Sequence, residues 1–332
     1  MANVLLSCNN DDNSTPNQSA QIYVVGYEDS STSIAKVWKP NSDTNSDFET
    51  DLSNGSEDAM AYSIYVKDED VYVAGRQSNT INYVATLWKN GIATDLTDGT
   101  EDAYASSVYV SESDVYVTGW ESNGTKNIAK VWKNGIATDL TDGMQTAVAY
   151  SVYVAGNDVF VAGREYDGTN NVAKLWKNGI AIDLTDGTED ALAYSVYVEG
   201  NDVYVAGYES NGANDIAKVW KNGVATNLTD GNEYAYATSV FVSGSDVYVA
   251  GREFNGSRYV AKLWKNGVAT DLSDGTNNAQ AFSVYVREGD VYVAGFERIE
   301  EESYAILWKN GVAQNLSNGG DSSSFAYSVF VK

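Results

Sequence analysis

Short apolar runs recur along this chain, separated by Gly, Asn and Asp, and the clearest copy is residues 193–231. It divides into four runs, 194–198, 203–206, 216–221 and 224–228. Runs this short, rich in Val, Tyr and Trp, predict strands. The Gly-Asn-Asp and Asn-Gly pieces between them predict hairpin turns, because Gly and Asn reach positive φ at little cost. The second run, Val-Tyr-Val-Ala, is apolar at consecutive positions rather than alternating. A strand patterned this way has both faces covered. One sheet of four short strands cannot cover both faces alone, so the copies must pack on one another.

The copies are evenly spaced. A Trp-Lys pair recurs at Trp38, Trp88, Trp132, Trp176, Trp220, Trp264 and Trp308; the last six are 44 residues apart and the first gap is 50. A fixed period in the forties with strand content predicts one propeller blade per copy. The expected fold is all-β: a seven-bladed β-propeller with four antiparallel strands per blade, spanning residues 21–332. With the strands called A to D outward from the axis, Gln21 leads directly into a B-type strand. Residues 327–331 form an A-type strand with no B strand after it. The C-terminal strand is therefore expected to complete blade 1, closing the ring and removing free edges.

A longer period lies inside the first. The residue after the B-strand glycine runs Tyr27, Arg76, Trp120, Arg164, Tyr208, Arg252, Phe296. In step with it, Ile34, Val84, Ile128, Val172, Ile216 and Val260 alternate, as do Val37, Leu87, Val131, Leu175, Val219 and Leu263. This pattern points to a two-blade unit copied three times, with the seventh blade a hybrid.

Charge narrows the function classes. The 332 residues carry a formal charge of −25, with a pI near 4.1. A nucleic-acid binder needs the opposite sign, so no nucleic-acid partner is expected. Such acidity also repels anionic membranes. There is no His, and the one Cys, Cys8, lies outside the repeats. Disulfides cannot hold this fold, and the usual His-based catalytic and zinc sites are excluded. No apolar run approaches the roughly 20 residues that span a bilayer.

Residues 1–20 read as a remnant of a signal peptide followed by a polar tether. Val4-Leu5-Leu6-Ser7-Cys8, before Asn-Asn-Asp-Asp-Asn, resembles the end of a bacterial lipoprotein signal. In that family the Cys is lipidated, which makes Cys8 the candidate lipidation site and its lipid the only membrane contact expected. The chain has no Lys or Arg before Lys36, where that family has a basic start. The repeat itself, Tyr-Val-Ala-Gly … Ala-Lys-x-Trp-Lys-Asn-Gly … Leu-x-Asp-Gly, resembles that of secreted or surface-anchored bacterial seven-bladed β-propellers. The resemblance covers residues 21–332. It implies export to the extracellular space or cell surface and carries no known active site.

The A–B and C–D connections are short and should share one face; the longer B–C and D–A connections should share the other. On the longer-loop face, Tyr27, Arg76, Trp120, Arg164, Tyr208, Arg252 and Phe296 form the candidate ligand-binding ring. Each Arg is expected between blades that carry an aromatic residue at the same position. Such a ring serves either as inter-blade cation–π packing or as platforms for a sugar or peptide. The acidic D–A segments suggest calcium, but their oxygen spacing matches no defined loop, so no metal and no cofactor is expected. The Asp before each B strand (Asp70, Asp114, Asp158, Asp202, Asp246, Asp290) reads as an Asx bond within its own turn. The Lys of each Trp-Lys pair reads as solvated. The six extra residues of the first period fall in the connection 40–50 and form a candidate contact.

No residue stands out from its repeats as an acid, base or nucleophile, so catalysis is not expected. The preferred expectation is an extracellular structural or interaction protein. It would hold protein partners or copies of itself, assembling through residues 1–20. The alternative is a glycan-binding module using the Arg and aromatic ring, with several equivalent ligands per chain.

Overall fold

The computed structural model describes residues 20–40, 48–317 and 322–332. Cys8, the tail before residue 20 and most of the 40–50 connection lie outside the described residues. Seven four-stranded antiparallel sheets are arranged in a ring, with the order A-B-C-D in each. Blade 5, the copy read above, comprises Ala191–Glu199, Asp202–Ser210, Asp215–Lys221 and Val224–Asn227. Its A and B strands run several residues beyond the apolar runs read above, because Ala191–Ala193 pair with the Gly207–Glu209 end of strand B. The A strands contact one another in a closed circle and are innermost. The C-terminal strand Ser323–Val331 pairs with Ile22–Asp29 and supplies strand A of blade 1. Gln21 and Lys332 exchange two backbone hydrogen bonds at this seam.

The core lies between blades rather than within them. Each of seven apolar clusters draws on two neighbouring blades. Between blades 3 and 4, Tyr116, Ala129 and Val131 meet Ala147, Ala149, Val152, Val154, Val161 and Trp176. All seven repeat tryptophans are at most 1% exposed. This explains the consecutive apolar residues of strand B: one side meets the preceding blade and the other the following one.

The short-loop face is braced by side chains, which corrects two expectations. Asn134, at φ 51°, accepts the Val115 N–H through Oδ1 at 2.9 Å and donates from Nδ2 to Asp114 at 2.9 Å. Lys133 Nζ completes the brace at 2.7 Å from Asp114. The same arrangement recurs at Asp70, Asp158, Asp202, Asp246 and Asp290. These aspartates therefore tie the A–B turn to the C–D turn instead of capping their own turn, and the lysines are ion-paired rather than free in solvent. Lys and Asp neutralise one another on this face.

The braces make a pH prediction. The lysine, and next the asparagine amide, holds the Asp114 carboxyl below its ordinary value; at Asp290 the asparagine leads. A carboxylate with a depressed folded pKa adds stability that is complete above its unfolded pKa and is lost as pH falls through the folded value. Lowering the pH from 7 towards 4.1 first relieves self-repulsion from the −25 charge. The thermal midpoint should therefore hold or rise down to about pH 4 and then fall. A midpoint that goes on rising at about pH 3 would show that the braces contribute nothing.

Candidate functional site

Strand A carries the site because its pattern slips by one residue. In Ala59–Lys67 the inward positions are Ala59 and Ala61, then Ile64 and Val66. Alternation would put the next apolar residue at 63, so one residue must leave the ladder. Ala61 pairs with Gly75 and Ser63 with Ala74, which leaves Tyr62 unpaired in a β-bulge. All seven blades repeat this, and the bulged residues are Tyr62, Ser106, Tyr150, Tyr194, Thr238, Phe282 and Tyr327. The bulge brings strand A against strand B so closely that only Gly fits opposite. A Cβ on Gly163 would lie 2.1 Å from the Val148 carbonyl oxygen.

Below the bulge two rings encircle the axis. Ser63, Ser107, Ser151, Ser195, Ser239, Ser283 and Ser328 each accept, through Oγ, the backbone N–H of the next blade's inner strand, at 3.1–3.4 Å. Nearer the short-loop face, Tyr65, Tyr109, Tyr153, Tyr197, Phe241, Tyr285 and Phe330 form an unbroken aromatic circle with neighbouring centroids 4.8–5.1 Å apart. Burial pushes the Tyr197 phenol up to about 12, with Glu199 adding to the effect.

Above these rings is an axial cavity of about 650 Å³. The seven ring serines and the seven bulged residues line it. Its upper wall is Tyr104, Trp120, Asn127, Val148, Arg164, Tyr236, Arg252 and Gln280. These come from the long-loop ends of strands A, B and C. The B–C and D–A loops do share that end: Asn79 Nδ2 donates to the Gly99 carbonyl at 3.0 Å, and Tyr83 N–H to Asp102 at 2.8 Å. The D–A acids serve such turns. Asp98, for example, accepts both the N–H and the hydroxyl of Thr100, at 2.9 and 2.7 Å.

Of the sequence-derived ring, Trp120, Arg164 and Arg252 line the cavity itself. Tyr27 is 9% exposed and packs on Phe325 and Tyr327. Tyr208 packs on Tyr194 and Tyr236, and Phe296 on Phe282 and Phe325. The arginines do not stack on the aromatic members of the ring, contrary to expectation. Arg76 lies 3.8 Å from the Tyr83 ring centre and 4.0 Å from that of Tyr104, and donates to Met60 Sδ. Arg252 lies 4.1 Å from Tyr259 and 4.8 Å from Tyr236, and donates to Gln280 at 2.9 Å. Arg164 donates to the Tyr150 hydroxyl at 3.2 Å and to Asn171. The expected partners sit on neighbouring B strands, whereas the real ones are cross-strand neighbours within the blade, such as Tyr83, Tyr236 and Tyr259, or strand A residues of the next blade, Tyr104 and Gln280. Trp120 stacks on Tyr104 at 4.4 Å.

The cavity phenols are proton donors at neutral pH. Burial raises Tyr62, Tyr194 and Tyr327 well above the ordinary phenol value. Burial does the same to Tyr236, assisted by the Asp215 carboxylate that accepts its hydroxyl at 2.7 Å. The cavity therefore presents neutral hydroxyls, aromatic faces and guanidinium groups together.

The ring serines and bulged residues escaped the sequence reading. Two signals were present: the slip in alternation at 62–63 and a Ser at the same place in every copy. Three of the seven ring residues, Trp120, Arg164 and Arg252, meet at the axial cavity. The chain matches no protein-family model and no curated protein.

Proposed function

We propose that the protein is a non-catalytic binding propeller of the bacterial cell exterior that holds one saccharide ligand in its axial cavity. The supporting observation is where the blades differ. Scaffold positions repeat almost unchanged, including the Trp, the B-strand Gly, the strand A Ala pair and the ring Ser. The strand A position facing the ring varies from blade to blade, and at Tyr104, Val148, Tyr236 and Gln280 it lines the cavity. The residue before the first inner Ala pair closes runs Met60, Tyr104, Val148, Leu192, Tyr236, Gln280, Phe325, and each sits in register opposite a member of the Arg and aromatic ring.

Exposure does not explain this variation. Ile92, Ile136, Ile180, Val224, Val268 and Val312 are 70–75% exposed and yet remain Ile or Val. The cavity volume of about 650 Å³ suits one small ligand or a chain end. Aromatic faces match the C–H faces of sugar rings, and the tyrosine and serine hydroxyls match their O–H groups. The exterior location rests on the Cys8 motif.

Titration calorimetry of the intact protein against hexasaccharides should give one ligand per chain. Trp120→Ala should weaken binding by about tenfold or more while the fold is retained. Binding at several sites per chain, or an unaffected W120A variant, would sink this reading. The exposed Ile and Val at the starts of the D strands favour a second one, a scaffold for protein contacts through the outer rim. Light scattering on the same sample would favour that second reading if particles exceed the 35.9 kDa chain and sugars do not bind.

A further inference from the structure

Arg164 and Arg252, which line the cavity, and Arg76, at the same strand position in blade 2, have no carboxylate partner, in a chain with 46 acidic and 21 basic residues. Among the described residues, no carboxylate oxygen lies within ion-pair distance of Arg76, Arg164 or Arg252. The lysines behave differently. Those inside the C strands hold B-strand glutamates: Lys130 reaches Glu121 at 3.1 Å, Lys218 reaches Glu209 at 2.5 Å and Lys262 reaches Glu253 at 3.1 Å. Glu121, Glu165, Glu209 and Glu253 each follow a ring residue in sequence, and alternation turns them to the opposite face of the blade. Two acids that bind neighbours of the arginines are occupied by neutral donors. Asp215 takes the Tyr236 hydroxyl, and Asp190 takes Asn171 Nδ2 at 2.9 Å.

The guanidinium groups themselves are only partly used. Arg76 donates to a thioether sulfur, a weak acceptor, and Arg252 donates to one amide oxygen. The Nε of each is buried without an acceptor. A guanidinium has five N–H donors in a planar fork that fits carboxylates and sulfates. Removing such a cation from water with only neutral partners is unfavourable, and an incoming anion reverses that.

We propose that the ligand of this cavity is an anionic saccharide, bearing carboxylates or sulfate esters, and that Arg164 and Arg252 anchor its charges. This rests on the saccharide reading above and adds the charge of the ligand to it. The −25 total does not forbid such a ligand. Repulsion from distant charges is screened beyond about 8 Å at physiological ionic strength, whereas contacts inside the cavity are not.

The test compares three hexasaccharides of equal length on the intact protein at about 0.15 M salt: an oligogalacturonate, a sulfated galactan and a neutral glucan. At least one charged chain should bind about tenfold or more tightly than the neutral one, and which of the two binds identifies the anion. Arg252→Gln and Arg164→Gln should each reduce that ratio severalfold, with melting midpoints showing that the ring is intact. Equal binding of charged and neutral chains, or a ratio unchanged in both variants, overturns the anionic ligand and leaves the saccharide site standing. If no hexasaccharide binds, the saccharide reading fails and takes this proposal with it.

Discussion

Deleting residues 323–332 should leave a chain that no longer folds to a monomer. The deleted strand supplies every backbone partner on one side of Ile22–Asp29, in register from Ile22 with Val331 to Asp29 with Ser323. It also carries Ala326, Val329 and Val331, all at most 3% exposed in the wedge that joins blades 7 and 1. Burying two valines contributes about 3–6 kcal/mol, a large part of the ordinary 5–15 kcal/mol of a domain. The loss also reaches the axis. Ser328 no longer receives the Ile64 N–H, and Phe330 leaves the aromatic circle between Tyr65 and Tyr285. An open ring exposes unpaired strand edges and apolar faces at once, so aggregates are expected instead of a loose monomer. Size exclusion with light scattering checks this. A synthetic peptide of residues 323–332, added during refolding, should restore monomer. A well-folded truncated monomer without the peptide would show that the closing strand is dispensable.

Gly163→Ala, like substitution of the other B-strand glycines, is expected to do severe damage. The added carbon would sit 2.1 Å from the Val148 carbonyl oxygen, 2.8 Å from the Trp176 ring and 3.0 Å from Ala149 Cα. Backbone lies on one side and a fully buried indole on the other, so neither neighbour can move alone. Relief requires undoing the bulge, which would shift the register of strand A and turn its apolar residues outward. The loss should exceed about 4 kcal/mol, in the range kept for severe core disruption. Gly156→Ala is the control. That turn glycine has φ 59° and nothing within 4 Å of a new Cβ, so only the left-handed conformation opposes it, at about 1–2 kcal/mol. Urea unfolding followed by tryptophan fluorescence would separate the two. Similar losses at both positions would mean that the bulge is soft.

Much of the fold was legible because the same instruction is written seven times. The Trp spacing gave the blade count, the consecutive apolar residues of strand B gave the packing on both sides, and the unmatched strand types at the two ends gave the closure. The turns were also readable, since Asn-Gly has few conformations open to it. Their side chains were less so. By sequence Asp114 reads as a local cap, because sequence shows neighbours along the chain and not the Asn134 and Lys133 that fold back onto it from the next hairpin. The site was legible only at its edge. Strand B reports its ring because Arg alternating with aromatics is conspicuous, whereas strand A conceals its contribution in a one-residue slip. Arg76 finding Tyr104 of the next blade could not be read at all, since that contact depends on how far the ring turns between blades.

The β-bulge has an evolutionary consequence. A residue outside the ladder answers to no cross-strand partner, so it can be exchanged without re-registering the sheet. Tyr, Ser, Thr and Phe all occupy this position around the ring, while the Gly and Ser beside it stay constant. A chain built by copying one unit thereby escapes its own symmetry: copies that must remain alike in order to fold can still drift apart at the one place where drift is harmless to folding. Such a frame can acquire a new specificity by changing a few axial side chains, without first acquiring new stability.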